Sequence, residues 1–436
     1  MNKNNLLQSI SDGHYDKAFI SLYGDDADTN SIHSRYHKAA SEFLSLYGHL
    51  LDDNSEICLF SVPGRSEICG NHTDHNHGCV LAASINLDII AVAAKTNTGD
   101  IRIKSEGFNQ DVVSVANTDV VNPDEKYKAS AIIRGMCDGF NKKGLKTGAF
   151  CAYTTSNVLK GSGLSSSAAF EVMVGNILNH LYNEGKEDPV EIAKISQYAE
   201  NVHFGKPCGL MDQTACAVGG FVAIDFQQPQ NPKVEKLSFD IAQHDYSLCI
   251  INTGGNHADL NEDYASVPAE MKAVANFFGK DVLRQVSKAE IIANAKQLRE
   301  NCGDRAFLRA VHFCNENALV QKQTQSLKNN NMQEFLEGVN LSGLSSISKL
   351  QNIFTVKNVK EQGLALALAL AGEVLDQYGN CAYRVHGGGF AGTIQVFCKN
   401  GYVNALTSAM NGVFGQNASY VLTIRQHGAV KLENLL

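Results

Sequence analysis

Short apolar runs dominate the first third of the chain. Residues 57–62 read ICLFSV, residues 80–94 read VLAASINLDIIAVAA, and two further apolar segments lie at 101–104 and 110–115. Runs of this length, rich in β-branched residues, are typical of buried strands. We therefore expect a β-rich first third, in which the strand at 57–62 leads directly into a loop that begins at Pro63.

Longer segments carry apolar residues at the three- and four-residue spacing of helices. They lie at residues 32–47, 129–140, 189–201, 268–278, 288–299 and 305–327. The Leu-Ala run at 364–371 is too short to span a membrane, and because Leu and Ala are strong helix formers it predicts a buried helix. Helices are therefore expected to dominate the second half of the chain.

The length of the chain, 436 residues, exceeds what one ordinary hydrophobic core holds, and it predicts two domains. Residues 1–30 are polar and are expected to form a small helical appendage. A stretch rich in Gln, Asn and Pro, QQPQNP at 227–232, has the composition of a linker. We place one domain at 31–228 and a second domain at 233–436.

Charge and cysteine usage narrow the expected partners and compartment. The formal net charge is −8 and the 37 Lys and Arg residues are scattered, so neither nucleic acid nor an anionic membrane is an expected partner. The 12 cysteines include no CxxC pair, and the N-terminus carries no apolar run of signal-peptide length. We expect reduced, mostly buried thiols and a cytoplasmic protein.

The segment that begins at Gly161 reads GSGLSSSAA and leads into apolar positions at helical spacing that end near Tyr182. Its glycines let the backbone approach a ligand, and the unpaired N–H groups and dipole of the helix that follows attract an anion. The segment lacks the Gly-Lys-Ser/Thr end of a Walker A loop. A phosphate cradle and a Ser-rich cap on an ordinary helix both fit these residues.

Two other glycine-rich segments carry polar side chains. The first, GNHTDHNHG at 70–78, holds three histidines and one aspartate, and it follows Arg65. Its histidine spacing is unlike that of a structural zinc site, and its mixed donors and acceptors suit a polyhydroxylated ligand; a solvated loop is the alternative. The second, HGGGFAG at 386–392, indicates close backbone approach, positive φ, or a plain turn.

Four blocks of the sequence, taken together, resemble the galactokinase branch of the GHMP small-molecule kinases. In chain order they read PGRSEICGNHTDHNHGCVLAASI, GSGLSSSAA, AENVHFGKPCGLMDQTACAVGG and HGGGFAGTIQVFC, and they span residues 63–398. The resemblance implies an α+β, two-domain GHMP kinase fold. Its N-terminal domain would be ribosomal-S5-like with a left-handed βαβ unit, against the usual right-handed rule, and its C-terminal domain would be ferredoxin-like.

The reaction that the resemblance implies transfers the γ-phosphate of ATP to the anomeric C1 hydroxyl of galactose. Asp212, in GLMDQ, matches the family's catalytic aspartate, and Arg65 matches the arginine beside it. The loop implied to bind ATP comprises Gly161, Gly163, Leu164, Ser165, Ser166, Ser167 and Ala168. Glu200 and a serine, Ser166 or Ser167, match the ligands of Mg²⁺, which prefers few hard oxygen ligands. The adenine pocket is expected near residues 126–132.

The sugar contacts implied by the resemblance are Asn71, His72, Asp74, Gly209 and Tyr264. Asn71 is a departure, because the family usually has Glu there, reaching toward the C6 hydroxyl of the sugar. Asn is neutral, and it both donates and accepts hydrogen bonds. This difference leads to the hypothesis that the protein accepts a sugar with a C6 carboxylate, or one otherwise changed at C6.

Alternatives remain for single residues and for the whole protein. Asp212 could be an N-capping residue, Arg65 a member of a surface ion pair, and Glu200 part of a solvated helix face. The substrate could be a galactose analogue such as galacturonate, arabinose or N-acetylgalactosamine, or the chain could be a non-catalytic galactose sensor. The serine loop, Asp212 and Arg65 are all present, so we expect an enzyme and not a sensor. Its expected partners are small molecules. We expect a monomer or a weak oligomer.

Overall fold

The computed structural model describes residues 1–24, 27–159, 163–255 and 260–436. Its helices are α1 Leu6–Ser11, α2 Asp16–Tyr23, α3 Thr29–Tyr47, α4 Ala129–Lys142, α5 Ser166–Tyr182, α6 Pro189–Tyr198, α7 Met211–Val218, α8 Asn261–Phe277, α9 Lys288–Ala293, α10 Ala295–Cys302, α11 Asp304–Lys328, α12 Met332–Ser345, α13 Gly363–Leu375 and α14 Asn400–Phe414. Two π-helical turns, Ala199–Phe204 and Ser346–Leu350, follow α6 and α12. No helix of the described ranges combines the length and the apolar character that a membrane span requires.

The strands fall into two sheets. They are β1 Ile57–Cys69, β2 Cys79–Lys95, β3 Asp100–Ser105, β4 Gln110–Ser114, β5 Phe150–Ser156, β6 Phe221–Asp225, β7 Lys233–Leu237, β8 Tyr246–Asn252, β9 Ala382–His386, β10 Thr393–Lys399, β11 Ser419–Leu422 and β12 Val430–Lys431. The larger sheet has the order β12-β1-β2-β5-β3-β4, and β6 pairs with β2 and with β7. Strands β3 and β5 pair in parallel, and α4 lies in the chain between them. The left-handed course of this connection stays a prediction.

The smaller sheet has the order β11-β8-β10-β9, with antiparallel neighbours throughout. Helices α8 to α13 lie in the chain between β8 and β9, and α14 lies between β10 and β11. This β-α-β-β-α-β order is that of a ferredoxin-like domain, as predicted. Strand β7 still belongs to the larger sheet, and the domain bounds at 31–228 and 233–436 stay a prediction.

Strand β1 is longer than the apolar run that predicted it. It continues from Ile57 through Arg65 to Cys69, so the expectation that a loop begins at Pro63 is wrong. Its backbone keeps pairing with β2, and the register is regular from Arg65 to Glu67 although it shifts on either side. Because side chains two residues apart on a strand share one face, Arg65 and Glu67 project from the same side of β1.

The first three helices cover one face of the larger sheet. Alternate residues of β1 point in opposite directions, so Ile57 and Leu59 pack with α1 to α3, whereas Cys58 and Phe60 belong to the core on the other face. The helices predicted in residues 1–30 are therefore present, and they pack against the sheet.

Two predicted helices in the second half have different bounds in the structure. The segment predicted to begin at Pro268 is part of α8, which begins at Asn261 and holds Pro268 in its interior. The segment predicted at 288–299 is divided into α9 and α10, which meet at Asn294. The Leu-Ala run lies in α13 and is helical as predicted.

Candidate active site

Arg65 and Asp212, which lie far apart in the sequence, form a bidentate ion pair. Asp212 stands in the first turn of α7, where the helix dipole favours a negative charge. Arg65 Nε donates to Asp212 Oδ1 at 2.8 Å, and Arg65 Nη2 donates to Asp212 Oδ2 at 2.6 Å. Burial lowers the pKa of Arg65, but the negative charge of Asp212 and its hydrogen bonds together have a larger, opposite effect. The pKa of Arg65 is therefore raised above its usual value. Since Arg65 is only 6% exposed, a surface ion pair is excluded.

The predicted phosphate loop runs beside this ion pair. Gly161 lies outside the described residues. Gly163 has a φ of 73°, which glycine adopts without strain, and its carbonyl accepts a hydrogen bond from Arg65 Nη1. The hydroxyl of Ser165 donates to Asp212 Oδ2. The loop is therefore attached to both predicted catalytic residues.

Helix α5 begins at Ser166, so the serine run lies at a helix N-terminus. Leu164 and Ala168 are buried and hold the loop against the core. Ser166 and Ser167 line a cavity of about 290 Å³, which we call the α5 cavity. Backbone N–H groups in the first turn of a helix lack helical partners, and the dipole is positive at this end. This end of the α5 cavity is therefore suited to a phosphate group.

The rest of the α5 cavity is mainly apolar. Its apolar and aromatic lining comes from Ile89, Phe108, Ala129, Ile132, Phe170 and Phe204. Ala129 and Ile132 belong to the segment 126–132, near which the adenine pocket was expected. A pocket with aromatic residues and with serines at a helix N-terminus matches the chemistry of a nucleotide, which has a flat base and a charged phosphate chain.

Glu200 lines the α5 cavity from the π-helical turn that follows α6. It is buried, so a solvated helix face is excluded. Gln213 Nε2 donates to Glu200 Oε2 and to Glu171 Oε2, at 3.0 Å in each case. Burial, and then the nearby Glu200, raise the pKa of Glu171 well above its usual value. These carboxylates and the hydroxyls of Ser166 and Ser167 form a set of hard oxygen donors that suits Mg²⁺.

A second cavity, of about 200 Å³, is lined by charged and amide side chains together with Val80 and Met211, and we call it the polar pocket. The predicted residues that line it are Arg65, Asn71, His72, Asp74, Gly209 and Asp212. A β-carbon at Gly209 would come within 2.2 Å of Asp74 Oδ2, so only glycine fits there without displacing the carboxylate. Asp212 is hydrogen-bonded to Ser165, which directly precedes Ser166 of the α5 cavity. The Asp212–Ser165 contact therefore joins the two cavities.

His72 is held in the polar pocket by residues 387–389, the glycine segment that follows β9. Its backbone has a φ of 58°, and its Nε2 donates to the carbonyl of Gly388 at 2.8 Å. Burial lowers the pKa of His72 to about 4, so the ring is neutral at neutral pH. The neighbouring His75 has a side chain that is 44% exposed. His72 and His75 therefore have different environments, and of these two only His72 is hydrogen-bonded to the glycine segment.

Asn71 is fully buried at the inner end of the polar pocket. Its Nδ2 donates to the carbonyl of Gly387 and to Glu67 Oε1, at 2.7 Å in each case. Its Oδ1 accepts a hydrogen bond from Asn352 Nδ2 at 2.7 Å. Both amide hydrogens of Asn71 are therefore used within the protein.

Four carboxylates that line these cavities were not predicted from the sequence, namely Glu67, Glu106, Asp111 and Glu171. Burial raises the pKa of Glu67, and the main opposing influence is Arg384, whose Nη2 lies 3.3 Å from Glu67 Oε1. The position of Glu67, two residues after Arg65 on one strand, is a signal that could have identified it. No comparable local signal marks Glu171, which lies within an apolar helix.

Tyr264 lies on α8, behind the glycine segment and not among the residues that line the polar pocket. Its hydroxyl donates to the carbonyl of Gly389 at 2.9 Å, and its ring meets that of Phe390 edge-on at 5.4 Å. A β-carbon at Gly388 would come within 2.7 Å of the Tyr264 ring. Tyr264 is thus the one predicted sugar contact that the structure places outside the polar pocket.

This fold, with a serine loop at a helix N-terminus between two cavities, defines a GHMP kinase. The family model described as "GHMP kinases N terminal domain" matches residues 129–220, and the model described as "Galactokinase galactose-binding signature" matches residues 41–95. The chain belongs to the galactokinase family, because bacterial galactokinases that are 31% and 32% identical to it align with 84% and 79% of its length.

Similar proteins include galactokinases of several bacteria. The galactokinase of Actinobacillus pleuropneumoniae serotype 5b is 31% identical over 376 residues, which cover 84% of this chain and 91% of the relative. That of Glaesserella parasuis serovar 5 is 32% identical over 355 residues, which cover 79% of this chain and 86% of the relative. The structure of Lactococcus lactis galactokinase complexed with galactose matches with a TM-score of 0.73 and 22% identity, over 90% of this chain and 99% of that one. A mevalonate kinase structure shares the fold, with a TM-score of 0.58.

Proposed function

We propose that this chain catalyses transfer of the γ-phosphoryl group of ATP to the C1 hydroxyl of galactose, giving galactose 1-phosphate and ADP. The class of enzyme, an ATP-dependent sugar kinase, follows from membership of the galactokinase family. The observation that carries the assignment of roles is the contact of Asp212 with both Arg65 and Ser165, between a polar pocket and a cavity suited to a nucleotide.

Asp212 is the proposed base. Its carboxylate would accept a hydrogen bond from the C1 hydroxyl and take the proton as the new oxygen–phosphorus bond forms and the bond from γ-phosphorus to the ADP oxygen breaks. A fixed acceptor of this kind contributes about 10²–10⁴-fold to the rate of a proton transfer. Arg65 holds both carboxylate oxygens in place and adds a positive charge beside the transferred group.

The loop from Gly161 to Ala168 is the proposed phosphate site, with the base of ATP in the apolar part of the α5 cavity. The donors there fit Mg²⁺, because Ser166, Ser167 and Glu200 offer uncharged and charged oxygens on one cavity wall. When bound, Mg²⁺ would offset the negative charge of the phosphate oxygens. The residues of this chain orient the phosphate chain through the helix N-terminus and keep bulk water from the base.

The polar pocket is the proposed sugar site. Asp74 offers two acceptor oxygens to sugar hydroxyls, and neutral His72 offers its second ring nitrogen as an acceptor. Gly209 leaves room for Asp74, and Asn71 lines the inner end. Tyr264 acts as a positioning residue in this proposal, since it supports the glycine segment that holds His72.

Composition adds predictions about the wider setting. The scattered basic residues and the reduced cysteines fit a cytoplasmic enzyme that acts on small molecules, without a nucleic-acid or membrane partner. We expect a monomer or weak oligomer, which light scattering at several protein concentrations would measure.

The test is ATP-dependent ADP release with galactose, galacturonate, arabinose and N-acetylgalactosamine as acceptors. We expect galactose to give by far the highest kcat/KM, with one phosphate transferred to C1 as detected by phosphorus NMR. Galactose binding without ADP release would identify a sensor, and faster turnover of another sugar would replace galactose as the substrate.

A further inference from the structure

Glu67 is a buried carboxylate that lines the polar pocket without a role in the mechanism above. It is 6% exposed and lies on β1 two residues after Arg65, on the same side of the strand. Two residues of a strand span about 6–7 Å. The backbone positions of Glu67 and Arg65 are therefore separated along the pocket by a distance comparable to the length of a hexose with its hydroxyl groups.

The carboxylate of Glu67 is fixed on one side only. Its Oε1 accepts from Asn71 Nδ2 at 2.7 Å and faces Arg384 Nη2 at 3.3 Å. Arg384 is fully buried and is itself held by the carbonyl of Ile68 at 2.8 Å and that of Val385 at 2.9 Å. Glu67 Oε2 accepts no hydrogen bond from the residues that the structure describes. A rigidly held carboxylate thus keeps one oxygen for a ligand.

Asn71 is poorly placed to bind the sugar itself. Both hydrogens of its amide are donated within the protein, one of them to Glu67, and its oxygen already accepts from Asn352. Asn71, where the sequence departs from the galactokinase pattern, therefore orients the carboxylate of Glu67 through a hydrogen bond.

We infer that Glu67 is a sugar-binding residue of the polar pocket, that it accepts a hydrogen bond from a galactose hydroxyl remote from C1, and that Asn71 is its positioning residue. This inference rests on the proposed function. The pocket then holds the carboxylates of Glu67 and Asp74 besides that of Asp212. Such a pocket selects neutral sugars and disfavours uronic acids, because two carboxylates brought together repel each other. The hypothesis that Asn71 opens the pocket to galacturonate is thereby replaced.

The alternative is that Glu67 serves only to compensate the buried charge of Arg384. The chain offers a matched control in Glu270, a carboxylate on α8 that compensates the charge of the fully buried Arg309 and lines neither cavity. Arg309 Nη1 donates to Glu270 Oε2 at 2.8 Å. A merely structural role would make Glu67→Gln behave as Glu270→Gln does.

The experiment measures galactose affinity by calorimetry without ATP, the KM for ATP, and the thermal midpoint, for the wild type, Glu67→Gln and Glu270→Gln. We expect Glu67→Gln to raise the Kd for galactose about 10- to 100-fold, as loss of a hydrogen bond to a charged group does, with the KM for ATP unchanged. Glu270→Gln should lower the thermal midpoint and leave galactose affinity unchanged. A folded Glu67→Gln variant with the galactose Kd of the wild type overturns the inference.

A second measurement needs no variant. The wild type should use galacturonate at least about 100-fold less well than galactose in kcat/KM, and equal use of the two sugars overturns the inference even where Glu67→Gln does not fold. Failure of the wild type to bind galactose, or to release ADP with it, contradicts the proposed function instead. The two failures are therefore distinguishable in one set of titrations.

Discussion

The two cavities of the candidate active site differ in the chemistry of the residues that line them. The α5 cavity, about 290 Å³, has a mainly apolar surface with aromatic and aliphatic residues, and the polar residues that line it include Ser166, Ser167 and Glu200. The polar pocket, about 200 Å³, is lined by charged and amide side chains from Arg65 to Asp74, held by hydrogen bonds to a distant glycine segment.

This difference indicates how each cavity discriminates. An apolar cavity binds a flat ring through burial and shape, so its affinity falls gradually when one wall residue changes. A polar pocket with fixed donors and acceptors rejects a ligand that lacks one hydroxyl, because a buried group is then left unpaired. Asp212 contacts the phosphate loop through Ser165, so a change at Asp212 should affect turnover more than the affinity for either ligand.

The largest effect is expected for Asp212→Asn, at the contact between the cavities. The amide cannot accept the proton from the C1 hydroxyl, so kcat should fall about 1000-fold. Asn retains an oxygen that can accept from Arg65, so galactose should still bind with a similar Kd. Coupled ADP release measures kcat, and calorimetry measures galactose affinity.

The matched control is Asp225→Asn, because Asp225 also pairs with an arginine and has a side-chain exposure of 30%, against 32% for Asp212. Its Nη2–Oδ2 contact with Arg284 is 2.8 Å, and it lines neither cavity. This control should keep full kcat. Wild-type turnover in Asp212→Asn would remove Asp212 from the mechanism.

The next largest effect is expected for Glu200→Gln, which tests the polar end of the α5 cavity alone. Loss of one charged oxygen should raise the KM for MgATP by about 10- to 100-fold and raise the Mg²⁺ concentration needed for half-maximal rate. Galactose affinity should not change. Initial rates at varied ATP and Mg²⁺ measure both quantities.

Glu191→Gln is the control for Glu200→Gln. Glu191 lies two turns earlier in the same segment and bonds to Lys143 and Lys194, each at 2.6 Å, away from the cavity. It should leave the KM for MgATP at the wild-type value. If Glu200→Gln also leaves the Mg²⁺ dependence unchanged, Glu200 is not a ligand of the metal.

A smaller effect, confined to the polar pocket, is expected for Gly209→Ala. The added β-carbon would meet Asp74 Oδ2 at 2.2 Å and displace the carboxylate. The KM for galactose should rise about tenfold, with little change in the KM for ATP. Gly401→Ala is the control, because a β-carbon there has nothing within 4 Å. Equal galactose KM values for both variants would show that the position of Asp74 does not affect sugar affinity.

Sequence patterns predicted most elements, but they failed where polar residues interrupt an apolar run. The apolar run at 57–62 predicts the first part of β1, whereas the Pro-Gly-Arg segment that follows it predicts a loop although the strand continues to Cys69. The side chains of Arg65 and Glu67 face a cleft, while the backbone keeps its ladder with β2. Proline was similarly misleading in α8, since Pro268 lies within the helix and the turns before it are held by the packing of Tyr264 on Phe390.

Motifs located the candidate site, and tertiary contacts supplied the rest of it. The resemblance named Arg65 and Asp212, and the structure brings them together. No local pattern places Arg384 beside Glu67 or Asn352 beside Asn71, because the two pairs are separated by 317 and 281 positions in the chain and meet only after folding. The roles of buried polar groups therefore needed the structure.

The smallest expected effect concerns the protonation of His72. Burial lowers its pKa from 6.5 to about 4, so the unfolded chain binds a proton more readily than the folded chain. Stability from this group is present above the unfolded pKa and is lost as the pH falls from about 6.5 toward 4. Between about pH 7.5 and about pH 5.5 the loss should be about 1 kcal/mol.

His72→Gln should therefore lose about 1 kcal/mol less stability than the wild type over that pH range, as measured by urea unfolding. His75→Gln is the control, because the His75 side chain is 44% exposed, and it should follow the wild-type profile. Other buried histidines contribute equally to all three proteins and cancel in the comparison. Parallel profiles for His72→Gln and the wild type would mean that the ring is not held neutral, and the polar pocket would then carry an additional positive charge near Asp74 at mildly acidic pH.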